Sequence, residues 1–231
     1  PLAMGQQGWQ QNLAFGAITI AVAGLDAWRD VTVNKNADTA RGPEYAAVFE
    51  AVANARELAR ESNVQDWNQA TNMVITGQAG AQLMGDWAQG EFSVAGQVEG
   101  QDYSCLPGLG LNAILDTGGD AFYFPANDDP EITAAQKELA ALLISPEVQV
   151  SFNLAKGSLP VRGDIDMAAA NGCMQKGLGI LADGGILPSG DQSLSADTQT
   201  QIEDLMAEFW SGDMPAADAQ ARYADLIASA D

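Results

Sequence analysis

In the segment Gln82-Leu-Met-Gly-Asp-Trp-Ala-Gln-Gly-Glu-Phe92 a carboxylate, Asp86, stands beside an indole, Trp87, with glycines at 85 and 90. Core strands rarely end this way for packing alone. An indole offers a flat, electron-rich face, and a carboxylate accepts hydrogen bonds, so the pair could stack on one part of a small molecule and hold another. The same residue types recur at Asp66-Trp67, at Trp9 in a glycine- and glutamine-rich run, and at Asp120 behind two glycines, while Lys156 adds a cation in Lys-Gly-Ser. Each also has a purely structural reading. A tryptophan can simply fill a core, Asp66 can cap a following helix, Gly-Gly-Asp can close a turn, and a lysine suits the negative end of a helix. Trp28 and Trp210 are read as packing residues.

Other chemistries are excluded or left open. The chain contains no histidine, which rules out a Ser-His-Asp triad and a histidine-based zinc site and removes the commonest general base. The two cysteines, Cys105 and Cys173, lie 68 residues apart, far from CxxC or zinc-ribbon spacing. Two free buried thiols and one disulfide both remain open from spacing. A bridge closing so long a loop would stabilise the fold by ~4 kcal/mol in the chain-entropy view and would imply an oxidising compartment. No EF-hand spacing is present, and Asp128-Asp129 and Asp164/Asp166 read as solvated turns. Nothing calls for a metal or a cofactor.

Ten basic residues face thirty-one acidic ones, a net charge of −21 over 231 residues. Such a surface repels nucleic acid and anionic membranes and favours solubility, as in a salty habitat. The composition is that of a globular protein with ample capacity for a core, and no apolar run reaches the length of a transmembrane helix. The chain begins at Pro1 as if already inside a protein, and is read as processed or truncated there.

These residues must be positioned by short elements. Residues 1–10 read as a loop, 11–24 as a helix ending at Gly24, and 28–33 as a strand-like or short helical patch. The three- and four-residue spacing of Tyr45, Val48, Phe49, Val52 and Leu58 predicts a helix over 44–61, with Pro43 at its start. A short helix is expected over 68–76 with Gly77 ending it, then a buried strand over 79–84 that delivers Asp86 and Trp87. Strands are expected at 101–107 and, after Gly118-Gly119-Asp120, in Ala-Phe-Tyr-Phe-Pro125. Pro130 opens one helix with Ile132, Leu139, Leu142 and Leu143 on its face. Ser145-Pro146-Glu147 opens another that stops near Lys156-Gly157. Residues 164–182 are read as partly helical, 186–190 as a loop, and 196–210 and 215–229 as amphipathic helices. The pattern is α/β.

Taken together, Asp66-Trp-Asn68, Gly77-Gln-Ala-Gly-Ala-Gln-Leu-Met-Gly-Asp-Trp-Ala-Gln-Gly-Glu-Phe92, Asp102-Tyr-Ser-Cys105, Gly118-Gly-Asp-Ala-Phe-Tyr-Phe124 and Ser145-Pro-Glu through Lys156-Gly-Ser-Leu-Pro-Val-Arg162 resemble, in order and spacing, the extracellular solute-binding proteins of bacterial ABC sugar importers. The similarity is greatest to the glucose/mannose type and runs over nearly the whole chain. The Gly-Asp-Trp and Lys-Gly-Ser-Leu-Pro-Val-Arg segments are specific, and the last helices are generic. The resemblance implies a periplasmic-binding-protein-like fold of type II, two α/β lobes joined by hinge strands with sugar between them, with most of the N-terminal lobe missing from this sequence. Residues 1–118 and 188–231 would then form the C-terminal lobe, and 119–187 would cross the hinge and complete the other. The missing piece is expected either as another chain or as part of the same protein outside this sequence.

The resemblance also implies roles. A sugar has weakly positive C–H faces that suit an indole and a rim of hydroxyls that suits carboxylates, amides and ammonium groups. Trp87 is the first candidate platform and Trp67 the second, with Trp9 the weakest of the three. Asp86 would brace the turn or reach a hydroxyl. Asp120 resembles the family's hydroxyl acceptor, paired with Lys156, and Arg162 would brace the hinge. A histidine expected near 188–193 is absent, and Asp191 or Gln192 would take its place. A cysteine after Asp-Tyr with another near the later helix resembles a pattern found in some relatives, which favours a Cys105–Cys173 disulfide. The implied partners are a small sugar and a membrane permease, and the implied location is the periplasm, reached through a signal peptide outside this sequence.

A competing function is a glycoside hydrolase, since tryptophans and carboxylates also build that kind of cleft. Against it, no two carboxylates pair clearly at strand ends. The one cleft carboxylate singled out has a lysine partner, an arrangement suited to accepting hydrogen bonds rather than releasing a proton. The favoured reading is therefore a binding protein without catalysis, in which sugar stabilises a closed arrangement about a hinge.

Overall fold

The computed structural model describes residues 1–116, 119–187 and 193–230. Along the chain the elements are β1 (Leu2–Ala3), α1 (Gly8–Thr32), α2 (Ala37–Ala40), α3 (Pro43–Leu58), α4 (Trp67–Ile75), β2 (Ala81–Gln82) and α5 (Ala88–Val94). They are followed by β3 (Leu115–Asp116), α6 (Pro130–Leu143), α7 (Pro146–Lys156), α8 (Gly172–Ala182), β4 (Ile186–Leu187), α9 (Ala196–Ser211) and α10 (Ala216–Ala228). This is a helix-rich α/β chain, and it divides into two compact units. The first comprises Pro1–Gly85, Cys105–Thr117 and Ile180–Asp231, and the second Asp86–Ser104 and Gly118–Gly179. Among the described residues no helix is long and apolar enough to cross a membrane.

In the first unit the apolar stripes of α1, α3, α9 and α10 converge on one core of Phe15, Ile18, Tyr45, Val48, Phe49, Val52, Leu205, Met206, Phe209 and Tyr223. Its centre is aromatic. Phe15 lies 5.4 Å from Phe49 and 5.2 Å from Tyr223 between ring centroids, and Tyr45 stacks on Tyr223 at 5.6 Å. Tilted and edge-on rings at these separations add to the area they bury. Burial pushes the Tyr223 and Tyr45 hydroxyls well above the usual range, so both stay neutral.

Two parallel pairs tie distant segments of this unit together. Leu2 pairs with Ala81 and Ala3 with Gln82, while Leu115 pairs with Ile186 and Asp116 with Leu187. These strands are shorter than expected. The run 79–84 yields only Ala81–Gln82, because one edge of two residues is all that β1 offers it.

Several local expectations are corrected. Residues 8–10 are the first turn of α1, so Trp9 is helical rather than in a loop. The helix expected to end at Gly24 does break there: the glycine takes φ 80 and ψ 173, outside helical geometry and closed to side chains with a Cβ, and a second helical stretch then runs to Thr32, so 28–33 takes the helical one of its two readings. Trp28 is buried here with Ile20 and Leu187. Residues 101–107 form turns with one isolated bridge between Glu99 and Tyr103. The aromatic segment 121–125 has no strand partner among the described residues, and without a partner its N–H and C=O groups make no ladder.

The second unit holds α5, α6, α7 and most of α8. Phe92 and Tyr103 stack at 4.2 Å. Helix α6 buries none of its residues: Ile132, Leu139 and Leu142 are exposed, as are Phe122, Tyr123 and Phe124 before it. Cys105 and Cys173, the two cysteines of the chain, form a disulfide.

Candidate functional site

The second unit carries Trp87, Asp120 and Lys156. Helix α7 begins with Pro146 at its first position, where the missing N–H costs no hydrogen bond. Ser145 precedes it but donates back to the Leu142 carbonyl rather than capping the helix. The helix ends because Gly157 takes the left-handed conformation, φ 83. Lys156 therefore occupies the last helical position. Its Nζ donates to Asp120 Oδ2 at 2.5 Å and lies 5.8 Å from the centre of the Phe152 ring. The Asp120 side chain is 75 % exposed and that of Lys156 29 %, so the pair adds little to stability and stays open to a third partner.

The turn bearing Asp86 and Trp87 is fastened to the end of α7. Gln89 Nε2 donates to the Gly157 carbonyl at 2.8 Å. The Leu159 backbone N–H donates to the Asp86 carboxylate. A Cβ on Gly157 would stand 2.5 Å from Gln89 Cβ, so close approach requires glycine there, and one on Gly90 would stand a tight 3.1 Å from the Lys156 carbonyl oxygen. Asp86 has an exposed surface, yet enough protein surrounds its carboxyl that desolvation raises its pKa above the ordinary range. The Leu159 N–H and the Lys156 charge oppose that shift without cancelling it. Asp86 thus braces the turn, and Trp87, half-buried, starts α5 from it.

The first unit carries Trp67 and Trp9. Asp66 and Gln69 form a reciprocal box at the start of α4, with the Asp66 N–H donating to Gln69 Oε1 at 3.1 Å. Trp67 is the first residue of that helix, and its carbonyl accepts from Gln82 Nε2 at 2.9 Å and from Thr71 Oγ1 at 2.9 Å. Gln7 joins the two tryptophan-bearing segments: its Nε2 donates to Asp66 Oδ1 at 2.8 Å and its Oε1 accepts from Trp9 Nε1 at 2.8 Å. Trp9 is 36 % exposed and Trp67 half-buried.

The structure thus brings Asp120 to Lys156, and the Trp87 turn to the end of α7, within one unit, while Trp9 and Trp67 share a hydrogen-bonded patch of the other. Gln192 and Asp191 lie outside the described residues. Arg162 pairs with Asp164 at 2.5 Å and donates to the Ile144 carbonyl at 3.0 Å. The sequence reading missed Gln7 and Gln89. The glutamine run at the start of the chain signalled the first, but nothing local signalled the second. A groove of about 850 Å³ between α1 and α3, lined by Asp26, Arg29, Asp30, Asp38 and Glu44, contains none of the candidate residues.

No family model matches the chain. It is 33 % identical over 180 residues to a probable sugar-binding periplasmic protein of Brucella suis, an alignment covering 77 % of this chain and 42 % of that protein. It is 31 % identical over 167 residues to an uncharacterised ABC transporter extracellular-binding protein of Pyrococcus horikoshii, covering 71 % of this chain and 36 % of the relative. The chain therefore spans less than half the length of the curated relatives it matches. Its fold is similar to that of a solved chitin oligosaccharide binding protein, with a TM-score of 0.74 over 100 % of this chain and 60 % of that one at 18 % identity.

Proposed function

We propose that the chain is part of an extracellular solute-binding protein of an ABC transporter, a receptor that binds a glucose- or mannose-like monosaccharide and hands it to a membrane permease, a reading its similarity to sugar-binding periplasmic proteins supports. Its place of work is the periplasm, where a disulfide persists. Its relatives are named as binding proteins, not enzymes. The observation that carries the reading is the Asp120–Lys156 pair. An exposed carboxylate and an ammonium, each holding the other, can both turn to a sugar hydroxyl while remaining charge-balanced. Trp87 would supply a stacking face, with Trp67 and then Trp9 as further candidate platforms. Gln192 would complete the polar rim.

A receptor of this kind closes on its ligand about a hinge, and the closed form is what a permease reads. The remaining part of the receptor, whether carried on the same protein or on another chain, would cover the exposed aromatic segment 121–125 and the apolar face of α6. Calorimetry of the whole protein against glucose, mannose, xylose, arabinose and a chito-oligosaccharide tests the reading. Saturable binding of a monosaccharide without turnover supports it, and binding of none of them removes it.

A further inference from the structure

We propose that Gln89 is a positioning residue for sugar recognition, the pin of a buried clasp that sets Lys156 relative to Trp87. The proposal rests on the sugar-binding reading and extends it to a residue with no access to ligand: Gln89 is 8 % exposed. Its amide nitrogen holds the Gly157 carbonyl, one residue beyond the lysine. Its Oε1 is buried and accepts no hydrogen bond among the described residues, so the side chain makes one polar contact and that contact is to the end of α7. The glycines at 90 and 157 let the two backbones meet there, and Asp86 takes the Leu159 N–H on the other side of the same junction.

The geometry has a mechanical consequence. A helix end whose last carbonyls are unpaired frays, and a lysine on a frayed turn samples many positions. Pairing the Gly157 carbonyl to a side chain from α5 couples the lysine's backbone to the turn that carries Trp87. The platform and the cation then move as one body, and the entropy of ordering them is not lost again at binding.

The test uses the whole protein and four variants: Gln89→Met, Gln89→Glu, Lys156→Met and the Gln89→Met/Lys156→Met double. Gln89→Met keeps the volume and loses the donor. Gln89→Glu keeps the shape but turns a charge toward a carbonyl. Calorimetry with glucose and mannose is expected to show each Gln89 variant weakened about tenfold, the worth of one buried hydrogen bond. The double variant is expected to bind no worse than Lys156→Met alone, because the pin acts through the lysine. Hydrogen exchange at 157–159 should quicken about tenfold in Gln89→Met while α9 keeps its protection. Losses that simply add in the double variant, or unchanged exchange at 157–159, would overturn the proposal. Failure of the parent protein to bind either sugar would overturn the monosaccharide reading instead, and the exchange measurement would then judge the clasp.

Discussion

Lys156 Nζ meets Asp120 Oδ2 at 2.5 Å across 36 residues of sequence, joining the end of α7 to the segment that follows the paired glycines. The contact is exposed on its acidic side, which makes it a poor stability device and leaves the Asp120 carboxylate open to a further partner.

Replacing either Asp120 or Trp87 by alanine should therefore lower sugar affinity more than about tenfold while leaving the fold intact. Calorimetry with melting curves checks both halves of the claim. Full affinity in both variants would remove the site assignment.

Asp86 gives a pH dependence. Its folded pKa is raised, largely by desolvation, so the folded state favours the protonated carboxyl. The resulting cost is absent below the ordinary value of 3.8 and develops as pH rises through the higher folded value. Asp86→Asn keeps an acceptor for the Leu159 N–H and removes the charge. It should melt above the parent at pH 7, with the gap shrinking as pH falls toward 4. A gap that is constant with pH would contradict this.

Reduction of the Cys105–Cys173 bridge should lower stability by ~4 kcal/mol in the chain-entropy view, less if the reduced chain keeps residual structure. Thiol titration before and after denaturation, with melts in the presence and absence of reductant, measures it. Two reactive thiols in the untreated protein would refute the bridge.

The 231-residue chain alone presents Phe122, Tyr123, Ile132 and Leu142 to solvent. It should bind a hydrophobic dye and elute larger than its 24.1 kDa. Sedimentation and dye titration decide this; a monodisperse, dye-free chain would mean that this face needs no cover.

The helices were legible in the residues. Pro130, Ser145-Pro146 and Gly157 punctuate α6 and α7, and the spacing of Tyr45, Val48, Phe49 and Val52 announces α3, because caps and amphipathic stripes are written within a few residues of where they act. The chemistry-bearing types were legible too, as a lack of histidine and a set of tryptophans beside acids. The strands were not. Leu2 finds Ala81 and Leu115 finds Ile186 far along the chain, and a two-residue edge leaves no periodicity to read. Sequence alone thus determined which side chains were available and which helices would hold them. Only tertiary packing decided that Gln89 would reach Gly157 and that Gly90 would admit the Lys156 carbonyl. Those contacts depend on two backbones meeting at a distance no local pattern records.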